Sequence, residues 1–159
     1  MWYNGDMKND LRLSFRDGNE WHLSHFRMAE FQNRAGYVMI DDSVIRSLEK
    51  VREDLGKQYE CEVEVIVTSG IRTLADNERL AEVLGWTDEG GLVARNSQHL
   101  AEYGGIAVDI RARFKDGDNW VRVVQGRVGD ACRDHFAYVK ADYADGHVHA
   151  DNRKTQERD

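Results

Sequence analysis

The sequence predicts an α+β fold in which a small antiparallel sheet is flanked by helices. Apolar and polar residues alternate from Cys61 to Thr68, as in a strand with one buried face. Apolar residues at helical spacing follow Asp41-Asp42-Ser43, as in an amphipathic helix with an N-terminal cap. Short strands and helices succeed one another without a repeat or a linker. The chain of 159 residues therefore predicts a single domain over 1–159.

The N-terminal third is predicted to contain a hairpin and two helices. A hairpin over 11–23 is expected, because Asp17-Gly18-Asn19 supplies a turn between two short alternating runs. A short helix is expected over 25–31. The longer helix after Asp41 is expected to end at Gly56, because glycine often terminates helices.

The remaining elements are predicted from the spacing of apolar residues and from turn residues. In chain order they are a helix over 73–84, a glycine-containing loop over 85–97, a strand over 106–112, a helix over 120–132, strands over 136–139 and 147–150, and a frayed charged tail over 152–159. Cys61 is interpreted as a strand residue and Cys132 as a helix-packing residue. Two cysteines are too few for a disulfide framework or a cysteine-type zinc site.

Composition limits the classes of partner. The net charge is −7, from 22 basic and 29 acidic residues, so we expect no broad nucleic-acid interface. No apolar run approaches the length of a membrane span. The first residues lack the basic-then-apolar pattern of a secretory signal, so we expect that the chain either is synthesised as a cytoplasmic protein or has already lost a leader. Action outside the cytoplasm would follow release by a lysis system or a particle.

Two of the six histidines stand out by their spacing. Residues two apart on a strand point to the same face, so His147 and His149 are predicted to face one cleft. His22 and His25, beside the first hairpin, and His135, at a predicted helix end, are interpreted as surface or capping residues. The His-Val-His pair gains weight as a metal site only if a second segment supplies partners.

Asp109 is the candidate partner. It lies within an otherwise apolar predicted strand, where a buried carboxylate is costly unless it is paired. Binding a metal together with histidines would satisfy it. The alternative is an ion pair with Arg111 or Arg113, which are predicted to share its face of the strand.

Four short motifs follow one another along the chain: Val67–Thr73 (VTSGIRT), Asn96–Leu100 (NSQHL), Gly105–Ile110 (GIAVDI) and His147–Asp151 (HVHAD). Upstream segments from His25 to the helix at Asp42 continue the same pattern. Over about 25–151 the chain resembles the M15-type zinc peptidases. This group comprises D-Ala-D-Ala carboxypeptidases and endolysin-like peptidases, and it shares the fold of the hedgehog signalling domain.

The resemblance implies Zn²⁺ as cofactor, with His99, Asp109 and His149 as its ligands. It implies that His147 assists proton transfer or stabilises the transition state. Arg72 is implied to hold negative charge on the substrate or transition state. The implied substrate is a peptide with D-residues, in the stem or cross-links of bacterial peptidoglycan.

Two features depart from the family pattern. The nine residues between His99 and Asp109 are a few more than the family has, and 101–104 forms the apparent insertion. The dipeptidase branch has a glutamate three positions before its last histidine, where this chain has Gly146. His147 is therefore the expected base, with Asp145 as a second candidate.

These departures keep two further hypotheses open. One is a non-catalytic binding module of the same fold, with or without a metal, that recognises a glycopeptide or a protein. The other is a structural component of a phage or tail-like particle that carries a wall-cutting fold.

Overall fold

The structure is a computed structural model that describes residues 11–154. It contains a two-stranded and a five-stranded antiparallel sheet together with α-helices, which confirms the predicted α+β class. The elements in chain order are β1 (Arg12–Asp17), β2 (Glu20–Arg27), α1 (Asp42–Tyr59), β3 (Val63–Ser69), α2 (Leu74–Leu84), β4 (Ala107–Asp116), β5 (Asn119–Arg122), α3 (Gln125–Arg133), β6 (Tyr138–Lys140) and β7 (Val148–Asp151).

Strand β4 is the centre of the five-stranded sheet. The strand order is β3-β4-β7-β6, and β5 also pairs with β4. Side chains of one face, here called the inner face, include Val108, Ile110 and Ala112 of β4, all of them buried. They join one apolar core with Leu48 and other residues of α1. Each fully buried aliphatic side chain in such a core contributes about 1.5–3 kcal/mol to folding.

The opposite face of this sheet, here called the outer face, is polar. Because side chains alternate along a strand, Asp109, Arg111, Arg113 and Lys115 of β4 all belong to it. Asp109 lies opposite His149 of β7 in the register. Asp109 is buried whereas Lys115 is exposed, so only one end of the outer face is covered.

The helix predicted over 120–132 is wrong in its first part. Residues 119–122 form β5, which pairs with β4 through Asp116↔Asn119 and Lys115↔Trp120. A two-residue turn at Gly117–Asp118 joins the two strands, and Gly117 has a φ of 61°. Residues 125–133 form α3, and Cys132 packs in the core as predicted.

Helix α1 has the predicted beginning but not the predicted end. Asp41 caps it, accepting a hydrogen bond from the Ser43 backbone N–H. The helix continues past Gly56 to Tyr59 and ends at Glu60, which has a left-handed φ of 55°. The chain then folds back over Gly56, whose carbonyl accepts a hydrogen bond from Cys61.

Smaller differences concern three other segments. In the predicted helix over 25–31, the first residues belong to β2 and only Met28–Phe31 forms a 3-10 turn. Cys61 is exposed and precedes β3, so its interpretation as a strand residue is wrong. In the predicted frayed tail, Arg153 binds Asp151, whereas residues 155–159 lie outside the described residues. Within 11–154 no helix is long and apolar enough to cross a membrane.

Candidate metal centre

Three predicted ligands meet at the covered end of the outer face. The register of β4 and β7 places Asp109 beside His149. A loop brings His99 above them, held by backbone hydrogen bonds to the segment after β3. Arg72 N donates to the His99 carbonyl over 2.7 Å, and Ala101 N donates to the Arg72 carbonyl over 2.9 Å.

The three side chains lie close enough to hold one metal ion. His99 Nε2 is 3.0 Å from Asp109 Oδ1, His149 Nδ1 is 3.1 Å from the same oxygen, and the two nitrogens are 3.1 Å apart. Ligand atoms around a tetrahedral zinc, with bonds of about 2.0–2.1 Å, lie roughly 3.3 Å from one another. The donor set therefore fits an ion of this size.

Outer hydrogen bonds fix which nitrogen of each imidazole carries the proton. His99 Nδ1 donates to the Gly70 carbonyl over 2.7 Å, since a carbonyl only accepts. His149 Nε2 lies 2.7 Å from Asp151 Oδ2, which accepts its N–H. When the two rings are neutral, their inward nitrogens carry lone pairs, as a metal ligand must.

Three lone pairs converge on one buried point as a result. His99, Asp109 and His149 are each at least nine-tenths buried and their polar atoms are in direct contact, so bulk water does not screen them. Without a cation these acceptors repel one another, and unpaired buried polar groups are costly. A proton or a metal ion between them removes that repulsion.

The protonation preferences of the cluster suit a metal site. Burial disfavours the charged ring of His99 and lowers its pKa. Burial alone would raise the pKa of Asp109, but the facing His99 and His149 outweigh it and hold that pKa well below its usual range. For His149, burial is outweighed by hydrogen bonds to Asp109 and Asp151, which raise its pKa. A metal must displace that proton, so metal binding should weaken at low pH.

The alternative ion pairs proposed for Asp109 are absent from the described structure. Arg111 instead lies 3.4 Å from the Asp145 carboxylate, and Arg113 lies 3.3 Å from that of Glu64. The cation near Asp109 is Arg72, at 3.5 Å from Oδ2. Burial lowers the pKa of Arg72, although a guanidinium stays charged at any ordinary pH.

Asp151, the last residue of the fourth motif, had no predicted role, and in the structure it holds the outward nitrogen of His149. Its carboxylate is fully buried behind His149 and accepts hydrogen bonds from Arg153 Nε (2.8 Å) and Nη2 (2.6 Å). Burial alone would raise the pKa of Asp151, but Arg153 and His149 outweigh it and lower that pKa to about 2. The available sequence clue was its position, two residues after His149 on the same strand face.

His147 lies at the edge of the cluster with its second nitrogen facing inward. Its Nδ1 is 2.5 Å from Asp145 Oδ1, and its Nε2 is 3.8 Å from Asp109 Oδ2. Tyr143 stacks on the ring, with centroids 4.0 Å apart and planes 19° apart. Gln125 donates to the backbone carbonyls of Tyr143 and His147 and fixes this loop.

The extra residues between His99 and Asp109 leave both ligands in place. Ala101–Tyr103 forms a single 3-10 turn at the surface. Gly105 then has a φ of 76°, and a Cβ there would lie 2.5 Å from the Met39 carbonyl oxygen. Only glycine fits this close approach, which returns the chain to β4.

The other histidines lie outside the cluster. His25 pairs with Glu49 at the surface over 2.8 Å, and His135 pairs with Asp54 over 2.6 Å. His22 is exposed on β2, as its surface interpretation predicts.

Comparison with known proteins does not assign the chain to a family. No protein-family model matches it, and no curated protein matches it. What the geometry establishes is a buried His-Asp-His group suited to one metal ion, with an arginine and a fourth histidine beside it.

Proposed function

We propose that the protein is a zinc-dependent metallopeptidase that hydrolyses peptide bonds in bacterial peptidoglycan. One observation carries this proposal: possible ligand atoms of His99, Asp109 and His149 meet at a buried point beside Arg72 and His147. A set of three protein ligands leaves one position open, which is the arrangement of catalytic rather than structural zinc sites.

Histidine and carboxylate donors suit zinc as well as other divalent transition metals, and the resemblance of the motifs selects zinc among them. When bound, zinc polarises the scissile carbonyl and lowers the pKa of a bound water toward neutrality. His99, Asp109 and His149 would hold it, and Asp151 and the Gly70 carbonyl would orient the two imidazoles.

His147 is the proposed general base and acid. Asp145 accepts the Nδ1–H of His147, which leaves Nε2 to face the site; as a base, His147 would accept a proton at Nε2. Nε2 takes a proton from the attacking water while the water oxygen forms a bond to the carbonyl carbon. It then returns the proton to the leaving amine as the carbon–nitrogen bond breaks.

Arg72 is proposed to stabilise the negative charge that develops on the carbonyl oxygen. Its guanidinium has five N–H donors. Its contacts with Asp109 (3.5 Å) and Ser97 (3.4 Å) are long and use few of these donors. It therefore retains donors for an anionic oxygen in a site from which water is mostly excluded.

The substrate class is proposed from the resemblance of the four motifs to M15-type peptidases. The inserted turn at Ala101–Tyr103 removes one argument for a non-catalytic binding module, because His99 keeps its contact with Asp109. The missing glutamate at Gly146 is offset by His147, which faces the same ligands.

The first test is the metal content of untagged protein purified without added metal, measured by mass spectrometry. We expect about one zinc per chain, and loss of that zinc in His149→Ala. His22→Ala is the matched control, because it removes an exposed histidine outside the cluster. No metal in the native protein, with none taken up from added zinc, would contradict the proposal.

The second test is digestion of purified peptidoglycan, with the released fragments identified by mass spectrometry. A new amine and carboxylate at one peptide bond, abolished by a chelator and restored by zinc, is the expected result. Zinc binding without any fragment would instead favour the binding module.

A further inference from the structure

Trp120 lies at the open end of the outer face, the end at which Lys115 is exposed. It begins the segment that was predicted as a helix over 120–132, yet it lies on β5 with 48% of its surface exposed. The Arg113 guanidinium lies 3.9 Å from the ring centre, and Lys115 Nζ lies 5.2 Å from it. Both contacts are cation–π interactions, which favour this position of the exposed indole.

A groove of about 500 Å³ opens beside this indole. Its charges are balanced, with three carboxylates and three cationic side chains along its walls: Glu30, Glu62, Glu64, Arg27, Arg52 and Lys115. The carboxylates would repel a polyanion, and the arginines and the lysine would repel a polycation. The lining therefore suits a neutral ligand that is rich in hydroxyl and amide groups.

One wall of the groove, with Glu64, Lys115 and Trp120, lies on the outer face that carries the metal centre; residues of β2, of the 3-10 turn after it and of α1 form most of the rest. Asp109 and Lys115 are six residues apart on β4 and point to the same side, so they are separated by about 20 Å. An extended peptide of about five residues spans roughly 17 Å. A stem peptide cut at the metal centre would therefore reach the groove with its sugar-linked end.

We propose that this groove binds the glycan strand to which the substrate peptide is attached. An amino-sugar ring would stack its C–H bonds, which carry partial positive charge, on the part of the Trp120 ring that Arg113 leaves exposed. Its hydroxyl and amide groups would hydrogen-bond to Glu64 and Lys115. The choice of substrate rests on the proposed function, but the binding itself requires no metal.

The test is a titration of the whole chain with a soluble N-acetylglucosamine tetramer, followed by the NMR signals of the tryptophan indole N–H groups. We expect saturable binding that shifts the Trp120 signal. Trp120→Ala should bind roughly three- to tenfold more weakly, and Trp120→Phe should retain most of the affinity. Trp21→Ala is the matched control, since Trp21 is 65% exposed on β2 with Arg16 near its ring, away from the groove.

The same titration on His149→Ala separates this proposal from catalysis. Binding that persists there supports the groove even if no peptide bond is cut. Absence of saturable binding to the native chain, or equal affinity in Trp120→Ala, would overturn the proposal. Saturation by a polyglycerol phosphate but not by the sugar would also overturn it, in favour of an anionic polymer.

Discussion

The two ends of the outer face of β4 carry charged residues in very different surroundings. At the covered end, Asp109 is 6% exposed and touches His99 and His149. At the open end, the Arg113 side chain is 38% exposed and pairs with Glu64 over 3.3 Å. Both residues lie on the same face of the same strand, four positions apart.

The contrast shows that burial decides what a charged side chain does. An exposed ion pair exchanges readily with water and contributes little to stability. A buried carboxylate needs compensating partners, and here these partners are two imidazoles whose outward protons are already committed. The covered end can thus hold a cation, whereas the open end is where we propose that a neutral ligand binds.

The largest expected effect comes from removing the charge at the covered end. Asp109→Asn keeps the size of the side chain but loses the ligand charge, so we expect loss of zinc and of peptidoglycan hydrolysis together. Asp118→Asn, in the exposed β4–β5 turn, is the control. Metal content and fragment release should be measured on the same samples. Native zinc content in Asp109→Asn would remove Asp109 from the ligand set.

The next effect separates chemistry from metal binding within the covered end. His147→Ala should retain zinc while kcat falls by about 10²–10⁴, because proton transfer is lost. Asp145→Asn should lower kcat less, since it leaves the imidazole but disturbs the proton on Nδ1. Full activity in His147→Ala would mean that another group moves the proton.

Asp151 tests whether the outer hydrogen bonds matter. Asp151→Asn should weaken zinc affinity by about 10–100-fold, because His149 loses the charged acceptor that orients it. A competition titration against a zinc-binding dye measures the change. Unchanged affinity would show that the Asp109–His149 register alone positions the ring.

The same residue predicts a pH dependence in metal-free protein. Its pKa of about 2 lies below the ordinary value of about 3.9, so the ionised carboxylate favours the folded state. This stabilisation is complete above about pH 4 and is lost as the pH falls toward about 2. With a chelator present, the free energy of unfolding should be measured by urea at several pH values. It should fall less steeply with decreasing pH in Asp151→Asn than in the native protein. An equal dependence on pH in the two proteins would contradict the assignment.

The three residues of the cluster were predicted together only through the resemblance of the four motifs, which is what brought in His99. Residue patterns alone predict less: the spacing of His147 and His149 predicts that both face one cleft, and the apolar neighbours of Asp109 mark a carboxylate that needs partners. Their distances could not be predicted, since they depend on the register of β4 and β7. The orienting role of Asp151 depends on Arg153, which the predicted frayed tail concealed.

The open end was predicted poorly for a specific reason. Asp17-Gly18 predicts the first hairpin, and the same dipeptide at Asp116-Gly117 marks the β4–β5 hairpin. The helical spacing that continues from Val121 to Cys132 hid this second turn. Propensity could not decide between the two patterns, because β5 is fixed by its pairing with β4.

The smallest expected effect lies at the open end and completes the comparison. Glu64→Gln removes the partner of Arg113, and both side chains are more than one-third exposed. We therefore expect the free energy of unfolding to fall by less than about 1 kcal/mol, and by less still at high salt, where exposed charges are screened. Urea unfolding at low and high salt measures both values. A loss of several kcal/mol that persists in high salt would mean that the charges at the open end are shielded from solvent as those at the covered end are. The distinction between the two ends would then be wrong.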